Sequence, residues 1–391
     1  MVKELFRWEN YEAELTKAFT PASPISGRAS FHGRNAYMRR VINAVNQVGQ
    51  HVVIYGERGV GKTSLANVLA IFLEPFTSDN MISIKVNCFR ETTYARIWNA
   101  FFRSMGLPER DRFEPFTPAD VLTELRNDPR KLILIVDEFD RIENPDVDAM
   151  IADTIKSLSD FAVDTTIVVV GVADDVEDLI SEHSSIDRCL VQIHLPRMQA
   201  DELAQIVEQG MASAEMTISP DAIAEICTIS NGLPHFAHAL GLAAGRAAID
   251  SQKTFVDVAE VDEAVDSLIS ESQQSILASF DAAVASPRRQ NYYFHVLLAC
   301  ALAPTDNVGY FRARDIRDPY AEIMGRRYEI PTFVGHLHRL CEPVRGAILH
   351  RFGESHNFRF RFTDPMMQPF VLMHGLKRDL VKLSQVRPVD V

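Results

Sequence analysis

The chain has 391 residues, 47% apolar and 24% charged, and carries a formal net charge of −13. This composition is typical of a globular protein with two or three domains, and the acidic total excludes a simple basic nucleic-acid coat protein. The charge is unevenly distributed, because residues 286–391 hold 16 Lys/Arg and 10 Asp/Glu whereas the first 285 residues hold 24 and 43. An acidic body followed by a basic segment indicates two tasks, and the basic segment is a candidate for binding phosphates.

The cysteine pattern and the N-terminus bear on the cellular compartment. The cysteines are odd in number, widely spaced and without a Cys-x-x-Cys pair: Cys88, Cys189, Cys227, Cys300 and Cys341. This pattern argues against a disulfide framework or a zinc site and favours a reducing compartment. The N-terminus is too charged for a secretory signal, and no apolar run approaches the ~18 residues that a membrane span needs. We therefore predict a soluble, cytoplasmic protein with no membrane partner.

From about residue 31 to residue 195, short β-branched runs alternate with longer helical patterns. Such alternation predicts a parallel α/β sheet. Several runs are continuously apolar, as expected of strands that are covered on both faces. The runs span residues 51–55, 82–86, 132–136, 166–170 and 191–195. Residues 1–27 precede this region as a lead-in whose end reads as a loop.

Two further patterns follow the sheet. After Pro196 the pattern is helical to about Ser270. The last segment contains two predicted helices and two β-runs, over residues 291–303, 331–342, 347–352 and 358–362. Helices followed by a hairpin are the layout of a winged helix-turn-helix. In the second β-run the phenylalanines face one way, and Arg359 and Arg361 face the other.

The strongest motif lies between the first predicted strand and the next helix. It is a complete GxxxxGK[ST] sequence, Gly56-Glu57-Arg58-Gly59-Val60-Gly61-Lys62-Thr63, with Ser64 in the opening of the helix. Glycines let such a loop point successive backbone N–H groups at phosphates, and the helix N-terminus adds its positive end. Lys62 would reach the β- and γ-phosphates, and the Thr63 hydroxyl would ligate magnesium. The flanking strand and helix disfavour a chance glycine-rich turn, so residues 56–64 are predicted to bind ATP with Mg²⁺.

A second motif supports the first. Asp137-Glu138 directly follows the apolar run 132–136. A carboxylate at the tip of a buried strand beside a phosphate loop can hold hydrated magnesium, which is the role assigned to Asp137. Its neighbour Glu138 can polarise the attacking water. Acidic pairs at strand ends are otherwise solvated turn residues, and the phosphate loop favours the functional interpretation here.

These motifs resemble those of the AAA+ ATPases, and more narrowly the origin-recognition/initiator branch and the related STAND-type signalling ATPases. Three further segments resemble features of this family. Phe31-His32-Gly33-Arg34 resembles its adenine-side box, and Val86-Asn87-Cys88 resembles the end of its second strand. Asp137-Glu138-Phe139-Asp140 resembles its extended acidic motif. The resemblance covers about residues 28–375. It implies an α/β P-loop NTPase fold with an ATPase core over residues 28–196, a helical lid over 197–275 and a winged-helix domain over 286–385. It also implies a slow, Mg²⁺-dependent ATPase.

Two positions near the implied nucleotide site need separate comment. Gly232-Leu233-Pro234 resembles the lid turn of signalling ATPases, which implies that Pro234 packs near adenine. His235 stands where many relatives place a sensing arginine, and it is either a nucleotide contact or an ordinary residue of the lid helix. Asp174 lies nearest the slot that the family fills with a γ-phosphate-sensing asparagine. A carboxylate there would repel the phosphate, so the role of Asp174 stays open.

Arg188 precedes the last predicted strand, where AAA+ proteins resemble one another in carrying an arginine finger. Such a cation neutralises charge on the γ-phosphate of a neighbouring subunit. The resemblance therefore implies a catalytic role for Arg188 and a homo-oligomer. The alternative is a surface arginine paired with Asp187 or Glu182.

The basic end segment predicts a second interaction. In a DNA-binding winged helix, the helix over residues 331–342 would enter the major groove and the hairpin would touch phosphates or the minor groove. The residues predicted to contact DNA are Thr332, His336, Arg339, Arg359 and Arg361. Two alternatives stay open: an outward strand face is normally charged, and winged helices of signalling ATPases often pack on their own ATPase core.

Three hypotheses for function follow from these patterns. The first is an ATP-binding and ATP-hydrolysing switch that self-assembles and engages DNA through its winged helix. The second is a signalling or defence-type ATPase whose ATP-dependent assembly regulates a separate effector protein. The third is a nucleotide-binding scaffold with little turnover, which the residues at positions 174 and 235 keep open.

Overall fold

The computed structural model describes residues 2–27, 31–73, 81–107, 116–180, 186–286, 292–354 and 357–386. The chain forms two compact units, one comprising Pro24–Glu57 and Gly61–Leu195, the other Met1–Ser23, Arg58–Val60 and Pro196–Val391. Residues 28–30 and 287–291, which lie near two predicted domain boundaries, are outside the described residues. Among the helices described, none combines the length and the apolar character that crossing a membrane requires.

A parallel sheet forms the centre of the first unit, with the strand order β2-β3-β4-β1-β5. The strands are β1 His51–Tyr55, β2 Met81–Asn87, β3 Lys131–Asp137, β4 Thr165–Val170 and β5 Leu190–His194. The predicted parallel sheet is confirmed, and each strand bound lies within one residue of its prediction. Residues of β3 and β4 are almost all buried, which explains why their sequences are continuously apolar.

The described residues of this unit include the helices α2 Asn35–Val45, α3 Lys62–Leu73, α4 Tyr94–Met105, α5 Pro118–Arg126 and α6 Pro145–Asp160. The most aromatic of them is α4, whose Trp98, Phe101 and Phe102 side chains are buried in one core with strand residues. The Tyr94 hydroxyl lies 2.6 Å from the Thr154 hydroxyl, which joins α4 to α6. This packed face holds the strand ends in place, and the motifs identified in the sequence lie at those ends.

Helices also dominate the first part of the second unit. They are α7 Ala200–Ser213, α8 Pro220–Ser230, α9 Pro234–Asp250 and α10 Val258–Ser270, as the helical pattern after Pro196 predicted. Two short strands, β6 Thr217–Ile218 and β7 Phe255–Val256, pair in parallel between them. The sequence analysis missed this pair because two residues are too short for a period-two pattern.

The predicted lead-in is largely a helix, α1 Val2–Ala18. This helix packs against α7 and α9, and Leu15 and Phe19 are fully buried. The Thr20 N–H donates to Nδ1 of His238 on α9 at 3.4 Å. The apolar residues that dock α1 are few, and their partners lie about two hundred positions away, so no local pattern reveals the contact.

Glycines on α7 and α9 make room for Leu15 of α1 and for Phe19, which directly follows this helix. A Cβ added to Gly210 or Gly241 would collide with the Phe19 ring, at 2.5 Å for Gly241. A Cβ added to Gly245 would lie 2.6 Å from Leu15 Cδ2. These glycines are therefore required by packing rather than by backbone conformation.

The remainder of the second unit begins with α11 Gln274–Val284 and mixes helices with a small sheet. Its further elements are α12 Tyr293–Leu302, β8 Phe311–Arg312, α13 Arg317–Met324, α14 Ile330–Leu340, β9 Leu349–Phe352, β10 Arg359–Phe362 and α15 Met367–Lys377. The strands are antiparallel in the order β8-β10-β9. This order of a helix, a strand, two helices and a hairpin is the one expected of a winged helix-turn-helix. Asn291, Ser355 and His356 of the predicted helix and turn lie outside the described residues.

The glycine packing beside α1 generates a stability prediction. We expect Gly241→Ala to destabilise the protein by about 1–2 kcal/mol, because the steric cost against Phe19 exceeds the gain of up to about 1 kcal/mol in helix propensity. In a Phe19→Ala background the clash is gone, so the same change should become neutral or stabilising. Urea unfolding of the two single variants and the double variant measures this reversal of sign.

Gly335→Ala serves as the matched control for this experiment. Gly335 also lies inside a helix, α14, but nothing is within 4 Å of an added Cβ. This substitution should stabilise the protein slightly in both backgrounds. If Gly241→Ala stabilises the protein even with Phe19 present, the packing argument is wrong.

Candidate functional site

The glycine-rich loop joins β1 to α3, as predicted. Gly56 begins the loop with φ of 141°, and a Cβ there would clash with the carbonyl oxygen of Leu195. Because a side chain fits neither the backbone angle nor the space, glycine is required where the chain leaves β1 beside the end of β5. The Leu195 N–H donates to the Tyr55 carbonyl at 2.8 Å and holds this exit in place. The loop tip, Arg58–Val60, belongs to the second compact unit.

Lys62 is buried at the first position of α3. Its ammonium donates to the carbonyl oxygens of Gly56 at 2.9 Å and Glu57 at 2.8 Å. The loop therefore wraps around its own lysine. The Ser64 hydroxyl accepts a hydrogen bond from the Ile25 N–H at 3.1 Å, so this side chain fastens the segment before α2 to α3.

Thr63 and Asp137 meet at the carboxyl end of the sheet. The Thr63 hydroxyl lies 3.5 Å from Asp137 Oδ1, and Asp137 is only 2% exposed. Hydroxyl and carboxylate oxygens suit Mg²⁺, which proteins commonly bind with one or two carboxylates together with substrate phosphates. In the described part of the chain, no group of three or more His, Cys, Asp and Glu side chains could hold a metal ion. The donor set thus fits a magnesium ion that arrives with a phosphate ligand.

Lys85 on β2 is a member of this cluster that the sequence analysis missed. Its ammonium lies 2.8 Å from Asp137 Oδ2 and 2.6 Å from the Asn67 side-chain oxygen. The signal was the single charge in the strand Met81–Asn87. This edge strand is half-buried along most of its length, and β3 with its terminal carboxylate is its neighbour.

Glu138 adopts a left-handed backbone conformation with φ of 56°. Non-glycine residues adopt this region rarely, and such residues are concentrated at functional sites. The Glu138 N–H donates to Asp137 Oδ1 at 2.9 Å, and its Oε2 accepts from Arg141 Nη1 at 2.9 Å. Arg141, which the sequence analysis did not single out, therefore holds the carboxylate that was predicted to polarise water.

Asp140 and Asp174 lie on the two loops beyond β3 and β4. Asp140 Oδ1 accepts the Val172 N–H at 2.8 Å, so the extended acidic motif ties these loops together. Asp174 is half-buried on the loop after β4. The structure assigns Asp140 a structural role, and the role of Asp174 stays a prediction.

Arg188 lies immediately before β5, in a short 3-10 helix, Asp187–Cys189. Its side chain is 71% exposed and forms an ion pair with Asp160 at the end of α6. The alternative interpretation was a surface arginine paired with Asp187 or Glu182. The observed partner is neither of these residues, and Glu182 lies outside the described residues. An exposed guanidinium held by one exposed carboxylate is compatible with a finger that is released when a second subunit approaches.

Pro234 is the first residue of α9, and His235 follows it. The turn before them has left-handed residues at Asn231 and Gly232, with φ of 48° and 78°. His235 Nδ1 lies 2.9 Å from the Pro21 carbonyl oxygen. Burial lowers the pKa of His235, so the ring is neutral near pH 7 and carries no charge toward a phosphate.

Arg197 is a buried cation that the sequence analysis missed. Its Nη1 donates to the Asn231 carbonyl at 3.2 Å and to Gln368 Oε1 at 2.9 Å. Gln368 on α15 in turn donates to the Ala301 carbonyl at 2.9 Å. The turn before α9 and the C-terminal helices are therefore linked by one buried chain of hydrogen bonds.

The residues predicted to contact DNA have different surroundings. Thr332 and Arg339 are exposed on α14, and Arg339 donates to the Tyr293 hydroxyl at 3.1 Å. Arg359 Nη1 lies 3.3 Å from Asp306 Oδ2. Arg359 and Arg361 each place their guanidinium over the Tyr310 ring, at 4.8 Å and 4.7 Å from its centre.

His336, the fifth of these residues, packs edge-to-face on Tyr293, with ring centres 4.8 Å apart. Burial lowers its pKa, and the nearby Arg339 and Arg345 lower it further. The ring is neutral near pH 7 and offers no charge to a phosphate.

The parallel sheet, the phosphate-type loop between β1 and α3 and the acidic pair at the end of β3 define a P-loop NTPase fold. The chain belongs to the Novel STAND NTPase 1 family, whose model matches residues 21–284. A comparison with curated protein sequences found no match.

Two solved structures share this fold. The ORC2 protein of Aeropyrum pernix, described as ADPNP-ADP complexes, has a TM-score of 0.53 and 16% identity, over 93% of this chain and 98% of that chain. A Walker-type ATPase of Pyrococcus abyssi has a TM-score of 0.50 and 15% identity, over 90% of this chain and 98% of that chain. At this level of identity the similarity establishes the fold alone.

Proposed function

We propose that the protein is an ATP-binding switch that hydrolyses ATP slowly with the help of Mg²⁺. The observation that carries the proposal is the convergence of Lys62, Thr63 and Asp137 at the carboxyl ends of β1 and β3. Membership in a family of STAND NTPases supports it. The Aeropyrum pernix ORC2 protein, which shares the fold, is described as ADPNP-ADP complexes.

In this proposal each group of the site has a separate task. Backbone N–H groups of residues 56–64 and the N-terminus of α3 bind the phosphates. Lys62 turns from the loop carbonyls to the β- and γ-phosphates, and Thr63 with Asp137 would hold the metal. Bound Mg²⁺ supplies charge neutralisation on the phosphate oxygens. Glu138 orients and polarises a water molecule, and Pro234 and His235 contribute to the nucleotide side of the lid.

A glutamine at position 138 tests this assignment. We expect Glu138→Gln to lower ATP turnover roughly 100-fold or more, because an amide cannot accept the proton, while ATP affinity stays within a few-fold of the wild type. Phosphate release and a fluorescent ATP analogue measure the two quantities. The control is Glu143→Gln. Glu143 lies in the loop after Glu138, and its exposed carboxylate pairs with Arg90. If the wild type binds ATP without turnover, the scaffold hypothesis is favoured instead.

We further propose that the protein self-assembles and that Arg188 completes the site of a neighbouring copy. Its exposure and its location before β5 support this role. Arg188→Ala should lower turnover roughly tenfold or more and abolish the rise of specific activity with protein concentration. Measurements across a concentration series, with sedimentation in parallel, test both effects.

Asp160→Asn is the matched variant for Arg188. It removes the ion pair but leaves the guanidinium in place, so turnover should be retained. If the two variants lose activity equally, Arg188 acts through its ion pair with Asp160. A rate that is independent of protein concentration in the wild type would also contradict the assembly proposal.

DNA is the first candidate partner of the C-terminal segment. Its excess of basic residues and the winged-helix order of its elements support a duplex-binding role. The cation–π placement of Arg359 and Arg361 keeps both charges on one side of the hairpin. Phosphate contacts there would make the affinity for DNA depend strongly on the salt concentration.

An effector protein is the second candidate, and a groove on the same segment favours it. The groove has a volume of about 540 Å³ and lies between α14 and the hairpin. Ile330, Val334 and Phe358 line it, with Arg312 and Arg314 among the other lining residues. A groove that combines apolar side chains with arginines offers both kinds of contact that protein interfaces use.

One set of measurements separates the two partners. The DNA candidate predicts that ATPase rate or assembly size changes with duplex DNA, and that affinity falls roughly tenfold or more between 50 and 200 mM salt. Affinity should also weaken in Arg359→Ala/Arg361→Ala. Assembly that responds to ATP but not to duplex DNA would select the effector candidate. The control is Arg326→Ala, an exposed arginine of the same segment that lies over Tyr328.

A further inference from the structure

Asp137 is a buried carboxylate whose compensation is built into the protein. Its side chain is 3% exposed, and the ion-pair partner, Lys85, is 24% exposed. An ionised carboxylate without a partner is costly in such a place, since burial removes most of its hydration. The Lys85 ammonium at 2.8 Å from Asp137 Oδ2 supplies the missing positive charge.

Lys85 is held at this position by a second contact. Its ammonium donates to Asn67 Oδ1 at 2.6 Å, and the Asn67 amide donates to the Ile25 carbonyl at 3.3 Å. Asn67 lies one helical turn after Thr63 on α3. The lysine is therefore part of a network that includes the metal-binding residues, unlike a lysine whose head group moves in solvent.

We propose that Lys85 is a positioning residue that compensates Asp137 while no metal is bound and that makes metal binding depend on the nucleotide. The proposal rests on the ATP-binding function proposed above. The Lys85 ammonium lies against the carboxylate and Lys62 directly precedes Thr63 on α3, so the local field opposes a free divalent cation and favours anionic phosphates. Magnesium then enters with ATP, whose phosphates reverse the sign of the field.

Two consequences distinguish this role from an ordinary ion pair. Removal of the ammonium leaves Asp137 uncompensated, so the nucleotide-free protein loses stability. Removal also takes a positive charge away from the phosphates, so ATP without Mg²⁺ binds more weakly, whereas Mg²⁺–ATP loses less. The ratio of the two dissociation constants, without and with Mg²⁺, therefore rises.

The experiment compares Lys85→Met with Lys85→Arg and Lys131→Met in the full chain. Lys131 is the matched control, because it lies on β3 with 23% exposure and pairs with Asp164 at the opposite end of the strand. The thermal midpoint is measured without nucleotide, with and without Mg²⁺. ATP affinity is measured in excess EDTA and in excess Mg²⁺.

We expect Lys85→Met to lower the nucleotide-free midpoint by roughly 4–8 °C. The dissociation constant for ATP without Mg²⁺, divided by that with Mg²⁺, should rise roughly tenfold, because the variant lacks one positive charge near the phosphates. Lys85→Arg should retain most of the wild-type ratio, and Lys131→Met should leave it unchanged. Magnesium alone should leave the wild-type midpoint unchanged.

A folded Lys85→Met protein with the wild-type ratio would overturn the proposal. If Lys85→Met does not fold, the double variant Lys85→Met/Asp137→Asn decides: recovery of folding supports compensation, and continued misfolding contradicts it. A wild type that binds no ATP under either condition would refute the proposed function instead. The two failures are therefore distinguishable.

Discussion

The charge of Asp137 is the constraint on which the site depends. The carboxylate ends β3, a strand that is buried along nearly its whole length, and almost no water reaches it. Its oxygens are engaged from three elements: Thr63 from the helix after the loop, the Glu138 N–H from its own chain and Lys85 from the neighbouring strand. The parallel register brings these groups to one edge of the sheet, and displacement of any strand would separate them.

Much of this core could be predicted because its signals are local. Continuous apolar runs mark covered strands, and the loop motif specifies its own turn and helix start. The α1 helix and the Lys85 contact were missed for the opposite reason. Phe19 packs against Gly210 and Gly241, and Lys85 pairs with Asp137 on another strand. Both contacts depend on residues that are distant in the sequence, so no short stretch of sequence reveals them.

The predictions on charged surface residues were limited in a similar way. Composition indicated an excess of arginine in the last segment, but not that Arg359 lies against Asp306 and Tyr310. The Arg188 side chain is exposed, and its partner Asp160 lies on α6 and could not be read from adjacent sequence. Long side chains reach several ångströms, so their partners depend on the arrangement of whole elements rather than on sequence spacing.

The buried guanidinium of Arg197 has a mechanical consequence. It bonds to the turn at Asn231 and to Gln368 on α15, which in turn bonds to the end of α12. Breaking this chain would strand polar groups in the interior, so it resists bending. A displacement of α15 would therefore act directly on the turn before α9, because the same guanidinium bonds to both.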